Sequence, residues 1–340
     1  MPFLRRARWQ IEKKAGMGYN ITIVSWERIG MKIDLITGFL GAGKTTLLKH
    51  YARYLLGQGL SIGILEFDHG AVNVDMMLLK DLRGDHCELE MVAAGCDEDC
   101  LRRRFRSKLI SMAMCGYDRI IMEPSGVFDM DWFFDTLREE PLDSWYEVGS
   151  VICVVSAKLP RTMDAASDFL LASQAACAGK IVLSRTQMAT EAELAGARDH
   201  IAAAIAAIHG GACPEERFLA KDFATLEDAD FEALSRCGFH AGDYVKTVAG
   251  GGDPFQSVYF LNFACRSLAW LSERTAALFA DAACGQVMRV KGFVHLDGAC
   301  HELNATADGI DVRPIAEGQD VLIVIGMGLD EARIRSLLAE

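Results

Sequence analysis

The sequence predicts an α/β protein: a mostly parallel sheet covered by helices, followed by a smaller α+β domain. Three observations carry this. Continuous apolar runs alternate with helical stretches from Lys32 to about Ile208, the pattern of strands buried on both faces. A glycine-rich loop, Gly38-Phe39-Leu40-Gly41-Ala42-Gly43-Lys44-Thr45-Thr46, separates the first such run from the first helix. Beyond Gly250-Gly251-Gly252 the pattern changes to strands that alternate apolar and polar residues, closed by a helix.

Taken in order, Met1 to Lys14 is basic, and Ile21-Thr22-Ile23-Val24 reads as a short strand. A glycine loop of this kind usually follows a domain's first strand. Residues 1–30 are therefore expected to be a weakly ordered extension ahead of a start at Met31, with a basic arm packed on the sheet or a partner as the alternative. Lys32 to Thr37 reads as a strand, and Thr46 to Leu56 as a helix with apolar residues at 47, 48, 51 and 55. Strands follow at Ser61–Glu66, Arg119–Glu123, Val148–Val155 and Lys180–Leu183. The helices between them are Met130–Leu137, Asp164–Ala178 and Thr190–Ile208. Residues 209–255 are less regular. Beyond them the strands are Ser257–Phe263, Val287–Val294 and Val321–Gly326, with helices at Ser267–Ala283 and Asp330–Leu338. The expected boundaries are 31–225 for the first domain, 226–255 for a linker and 256–340 for the second domain.

Composition narrows the class. With 340 residues, 51% hydrophobic and 24% charged, the chain is an ordinary globular protein. A formal net charge of −12 argues against a nucleic-acid footprint. Eleven irregularly spaced cysteines, an odd number in a long chain, do not make a disulfide framework. Most, such as Cys153 within Val151–Val155, read as small buried hydrophobes. No secretory signal or membrane-length apolar run is found, so a cytoplasmic protein that contacts neither membrane nor nucleic acid is expected.

The loop Gly38 to Thr45 fits the P-loop pattern G-x-x-x-x-G-K-[ST] in full, between a strand and a helix as the pattern requires. This predicts a P-loop NTPase. Glycines at Gly38, Gly41 and Gly43 let the backbone around Ala42 turn its N–H groups toward one centre, where a phosphate sits. The helix N-terminus at Thr46 adds its dipole. Lys44 is placed to bridge the outer phosphates and the Thr45 hydroxyl to ligate Mg²⁺. An acidic partner is needed on a neighbouring strand. Glu123 ends the run Ile120-Ile121-Met122 and precedes Pro124-Ser125-Gly126, with Gly126 where a phosphate-sensing loop would move. Asp68, after the second strand, is a candidate to hold Mg²⁺ or orient water, and Asp75 lies seven residues on; either serves equally well as a turn or cap residue.

Cys96 and Cys100 stand four residues apart, which places them on one face if the segment is helical, with Glu98 and Asp99 between them. Thiolates with carboxylates suit Zn²⁺ or Co²⁺. Acidic residues at the start of the amphipathic helix marked by Leu101, Phe105, Leu109 and Met112 are equally explained by the helix dipole. The arginines at 102, 103, 104 and 106 read as a solvated helix face. Ser184-Arg185-Thr186-Gln187 ends the fourth strand, where guanine-specific P-loop proteins carry N-K-x-D. Ser184, Arg185 and Gln187 are the base-side candidates. Gln187 offers guanine one acceptor where aspartate offers two, while Arg185 can stack on a base.

Together these segments resemble the CobW family of metal-associated P-loop GTPases, related to the HypB and UreG maturation factors. Gly38 to Thr46 is similar to that family's G-F-L-G-A-G-K-T-T at every position. Asp68 to Asp75 looks like its N-[DE]-F-G-x-x-x-[IV]-D, with Phe67 in place of asparagine. Glu123-Pro124-Ser125-Gly126 looks like E-x-[ST]-G, and Arg289-Val290-Lys291-Gly292 and the segment from Val324 to Leu338 look like its C-terminal domain. Two departures stand out. In the family's G-C-x-C-C the later cysteines align with Glu98 and Asp99, and Cys100 follows one place on. N-K-x-D has become Ser184-Arg185-Thr186-Gln187.

The resemblance implies a slow GTPase, with ATP the alternative nucleotide, that carries Mg²⁺ and a transition metal such as Zn²⁺ or Co²⁺. Lys44, Asp68 and Glu123 would be its catalytic residues. Its partner would be a client metalloprotein or a cofactor-dependent enzyme, cobalamin enzymes included, and a homo-oligomer is one open arrangement. A maturation switch without metal transfer and a small-molecule P-loop kinase are the alternatives.

Overall fold

The computed structural model describes residues 5–13, 19–28, 30–68, 74–93, 98–128, 130–160, 162–240 and 255–339. Arg5–Lys13 (β1) and Tyr19–Arg28 (β2) pair antiparallel as a hairpin, with Ile11 opposite Ile21. The basic segment is thus a strand, where the sequence led us to expect weak order outside Ile21–Val24. Alternation in Trp9-Gln10-Ile11 and Ile21-Thr22-Ile23 is the period of a strand.

The first sheet begins at Met31–Thr37 (β3), followed by the P-loop and helix Lys44–Gly57 (α1). Next come Ile62–Asp68 (β4), the short helix Val74–Leu78 (α2), Cys87–Ala93 (β5) and Glu98–Cys115 (α3). Arg119–Pro124 (β6) leads to Met130–Arg138 (α4), Leu142–Trp145 (α5) and Tyr146–Ser156 (β7). Ala165–Cys177 (α6), Lys180–Ser184 (β8), Glu191–Ala207 (α7), Phe218–Ala220 (β9) and Asp228–Ser235 (α8) complete this layer structure. The seven strands run in the order β5-β4-β6-β3-β7-β8-β9, and every pairing is parallel. Two apolar cores cover its faces. One gathers Phe67, Phe105, Trp132 and Leu171 under α3, α4 and α6; the other gathers Leu47, Leu48, Tyr51 and Leu55 of α1 with Phe231 and Leu234 of α8.

That second core corrects the expected linker at 226–255. Phe231 and Leu234 are buried three residues apart, so residues 228–235 fold as a helix of the first domain and not as a tether. The triple glycine at 250–252 lies outside the described residues.

The C-terminal part is a five-stranded antiparallel sheet, made of Phe255–Leu261 (β10), Gln286–Leu296 (β11), Ala299–Thr306 (β12), Gly309–Ile315 (β13) and Val321–Met327 (β14), in the order β10-β14-β11-β12-β13. Helices Leu268–Ala280 (α9) and Glu331–Ala339 (α10) cover one face with Leu271, Leu278, Ile334 and Leu338. The other face meets the first domain: Phe293, Cys300, Val321 and Ile323 pack with Met77 and Leu78 of α2. Among the described residues no helix is long and apolar enough to cross a membrane.

Candidate functional site

The P-loop lies at the carboxyl end of β3, in the middle of a parallel sheet, where crossovers to either side leave a crevice. Its glycines are required by geometry. Gly38 has φ +141°, and a Cβ there would lie 2.1 Å from the Val154 carbonyl oxygen; Gly43 has φ +96° and immediately precedes α1. Lys44 then starts the helix with its side chain 5% exposed. Its Nζ makes no hydrogen bond or ion pair to a described residue. Burial lowers its proton affinity, the Glu123 charge raises it, and Arg289 lowers it further.

Glu123 stands at the end of β6, and its charge acts on this lysine. The Thr45 hydroxyl donates to its Oε1 at 2.9 Å, while its Oε2 is buried without a hydrogen-bond partner. Burial pushes its carboxyl up to about 7, against the opposing pull of Lys44. A carboxylate with one orphaned oxygen beside a threonine hydroxyl fits the oxygen-ligand chemistry of Mg²⁺. Gly126 lies against the loop: a Cβ on it would fall 2.8 Å from the Leu40 amide nitrogen. Thr46 is exposed beyond Thr45.

Two of the base-side candidates, Ser184 and Arg185, are brought to the same loop, and their polar groups already have partners. The Ser184 hydroxyl donates to the Ala42 carbonyl at 2.6 Å. Arg185, at φ +58°, donates to the Gly41 carbonyl at 3.0 Å and pairs with Asp308 at 3.1 Å. Gln187 is exposed in a one-turn helix.

On the proposed metal segment, Cys96 and the side chains of Glu98 and Asp99 lie outside the described residues, as does the side chain of Asp68. Cys100 is half-buried and lines a cleft with Met91, Arg103, Arg104 and Lys108. Among the described residues no group of three histidine, cysteine or acidic side chains could hold a metal ion. The expected solvated arginine face is partly engaged: Arg102 lies 5.9 Å over the Trp132 ring, and Arg106 pairs with Glu139 at 3.2 Å.

The second domain's share of this site is not among the residues the sequence singles out. Lys291 of β11 pairs with Asp75 at 2.8 Å, both nearly buried at 6% and 14% exposure. Burial alone would raise Asp75, but Lys291 and Arg289 together hold it well below the usual carboxylate range. Thr306 of β12 stands against Gly41, its methyl 2.6 Å from where a Cβ would be. The available signal was two cations two residues apart in Arg289-Val290-Lys291, hence on one face of a strand.

Comparison with known proteins gives the same picture. The model of the CobW/HypB/UreG nucleotide-binding domain matches residues 32–209, and that of the cobalamin synthesis protein cobW C-terminal domain matches residues 264–340. The zinc chaperone YjiA of Escherichia coli (strain K12) is 30% identical over 169 residues, 47% of this chain and 51% of that protein. The zinc chaperone YeiR of the same organism is 27% identical over 160 residues, 47% of this chain and 48% of that protein. The chain therefore spans about half the length of the curated relatives it matches. A solved structure of Zn(II)-bound YjiA GTPase from E. coli aligns over 92% of this chain and 98% of its own at 22% identity, with a TM-score of 0.38.

Proposed function

This chain belongs to the CobW/HypB/UreG family, and on that premise we propose that it is a nucleoside-triphosphate hydrolase of the cytoplasm that handles a metal ion on behalf of a client protein. The observation that carries the hydrolase reading is the Thr45–Glu123 pair beside a buried Lys44 whose Nζ makes no hydrogen bond to a described residue, at a P-loop. The loop amides and Lys44 bind the β- and γ-phosphates. Mg²⁺, when bound, is held by Thr45 and Glu123 and offsets phosphate charge. Water adds to the γ-phosphorus as the bond to the β–γ bridging oxygen breaks, releasing nucleoside diphosphate and phosphate. Asp68, at the end of β4, is our candidate for orienting that water. Slow turnover suits a switch, which needs a lifetime in each state.

The cargo reading rests on the zinc chaperones among the relatives and on the Cys96–Cys100 segment, with Glu98 and Asp99 as further donors. Zn²⁺ is the first choice and Co²⁺ the second. GTP is favoured over ATP from the family, although Ser184, Arg185 and Gln187 do not reproduce N-K-x-D. The test is hydrolysis of GTP against ATP by the full chain, with and without Zn²⁺ or Co²⁺. A clear ATP preference overturns the GTPase reading.

A second reading is favoured by one observation. Arg103, Arg104 and Lys108 line the cleft with Cys100; Lys108 is paired with Glu90 at 2.7 Å, and no carboxylate among the described residues lines the cleft itself to favour a dication there. A nucleotide-gated maturation switch for a metal- or cobalamin-dependent enzyme, without metal transfer, needs no ion at that place. Metal titration of the reduced protein against Cys96→Ala/Cys100→Ala separates the two. Unchanged binding in the double variant removes the cargo site from this segment.

A further inference from the structure

The P-loop chemistry leaves one group of charges unexplained, and that group comes from the second sheet. Arg289 and Lys291 lie two residues apart on β11 and so share a face. Lys291 is spent on Asp75, the second residue of α2. Arg289 stands opposite Thr306 in the β11–β12 register, and Thr306 is the residue that touches the P-loop at Gly41. Register and contact together therefore place Arg289 over the phosphate loop. Lys44, Glu123 and Asp75 all respond to its charge.

Arg289 is weakly engaged where it sits. Its Nε approaches Asn304 Oδ1 at 3.4 Å, and its two terminal NH₂ groups make no hydrogen bond to a described residue. Lys44 Nζ makes none either. Glu302, the other acidic side chain near Arg289, stands opposite Arg313, whose charge is the main one offsetting its burial. Two cations from two domains thus converge with donors to spare: Glu123 and Asp75 offset part of their charge, but no described residue accepts a hydrogen bond from Lys44 Nζ or from the Arg289 NH₂ groups. A further anion that accepts those bonds relieves the remaining repulsion between the two cations. A guanidinium presents a planar fork that matches phosphate oxygens, and an arginine aimed at a transferring phosphoryl group acts on that group alone.

We propose that the C-terminal sheet completes the nucleotide site, with Arg289 binding the terminal phosphate of a bound nucleoside triphosphate and the Lys291–Asp75 pair holding the sheet in reach. This rests on the P-loop being a nucleoside triphosphate site, as proposed above. The C-terminal domain then tells triphosphate from diphosphate. It is coupled to the state of the nucleotide through α2, whose Met77 and Leu78 pack on the same sheet.

The test uses the full chain with Mg²⁺ and measures affinity for a nucleoside diphosphate and for the non-hydrolysable triphosphate analogue of the same base. Wild type, Arg289→Ala and Arg289→Lys are compared. The expected result for Arg289→Ala is a loss of about tenfold or more for the triphosphate analogue, with diphosphate affinity unchanged within about twofold. Arg289→Lys keeps the charge without the fork and recovers part of the loss. Retained diphosphate binding shows that each variant is folded. Equal losses for both nucleotides, or no change in either, overturn the role of Arg289 and leave the P-loop reading standing. Wild type that binds no triphosphate overturns both.

Discussion

The two ends of the nucleotide site are built on opposite plans. At the phosphate end, polar groups have capacity left over: Glu123 Oε2 is buried without a hydrogen-bond partner, and Lys44 Nζ and the NH₂ groups of the partly exposed Arg289 make no hydrogen bond to a described residue. At the base end the same kinds of group are already satisfied, Ser184 by the Ala42 carbonyl and Arg185 by Gly41 and Asp308. Unsatisfied buried groups cost free energy in the absence of ligand, so they persist where a ligand repays it. The contrast assigns binding to the phosphates and leaves the base a smaller share.

The contrast is tested most directly at Lys44. Lys44→Ala should lower triphosphate hydrolysis by about 10²–10³-fold, as removal of one preorganised donor to developing charge does elsewhere. Single-turnover hydrolysis measures it. A loss below about tenfold would mean that the phosphates are held mainly by backbone amides, and that the buried lysine is not what the site is built around.

The next test asks whether the phosphate end truly spans two domains. Lys291 and Asp75 form a nearly buried pair, and breaking such a pair by removing one partner costs about 3–5 kcal/mol. Lys291→Met or Asp75→Ala should each destabilise the nucleotide-free protein by that order in urea unfolding. The double variant should recover most of it, because neither half of the pair then remains buried. Additive losses would show that the two residues act separately.

How much of this was legible in the sequence follows the same division. The P-loop, its strand and helix, and Glu123 were readable, because phosphate binding demands fixed residue types at fixed spacing between regular elements. Short strands such as Phe218–Ala220 and Cys87–Ala93 were not, since three to seven residues of mixed polarity carry little periodicity. Helix 228–235 was lost to the glycine-rich stretch that follows it. Arg289 was noticed only as part of a C-terminal segment. Its place beside Thr306, the residue that meets Gly41, depends on how one sheet docks on another, which no local spacing encodes.

A third test uses pH. The Glu123 carboxyl is raised from 4.5 to about 7 in the nucleotide-free protein. The sign is that of a raised acid: its contribution to stability is present below about 4.5 and is lost as pH rises through about 7. Mg²⁺ held by Glu123 as proposed would need the ionised form, so below that pH a proton would have to leave first. Affinity should then fall by up to about tenfold per pH unit below 7, and the Glu123→Gln variant should bind more weakly but without that slope. Calorimetry in two buffers of different ionisation enthalpy would detect the released proton. A flat profile in the wild type would mean that Glu123 is already ionised.

The smallest effects belong at the base end. Arg185 is partly exposed and its pair with Asp308 is of the kind worth about 0–1 kcal/mol, so Arg185→Ala should change triphosphate affinity by no more than about fivefold. Gln187 is exposed and one acceptor short of what guanine offers it. Gln187→Asp supplies two acceptors, and should raise the ratio of GTP to ATP affinity by up to about tenfold, the value of one added charged hydrogen bond in a solvated position. Competition binding of the two nucleotides reads that ratio directly. If the ratio does not move, the base does not reach this turn, and selection between purines falls to the loop after β9, where Phe223 lies 3.6 Å from the Cβ position of Gly43.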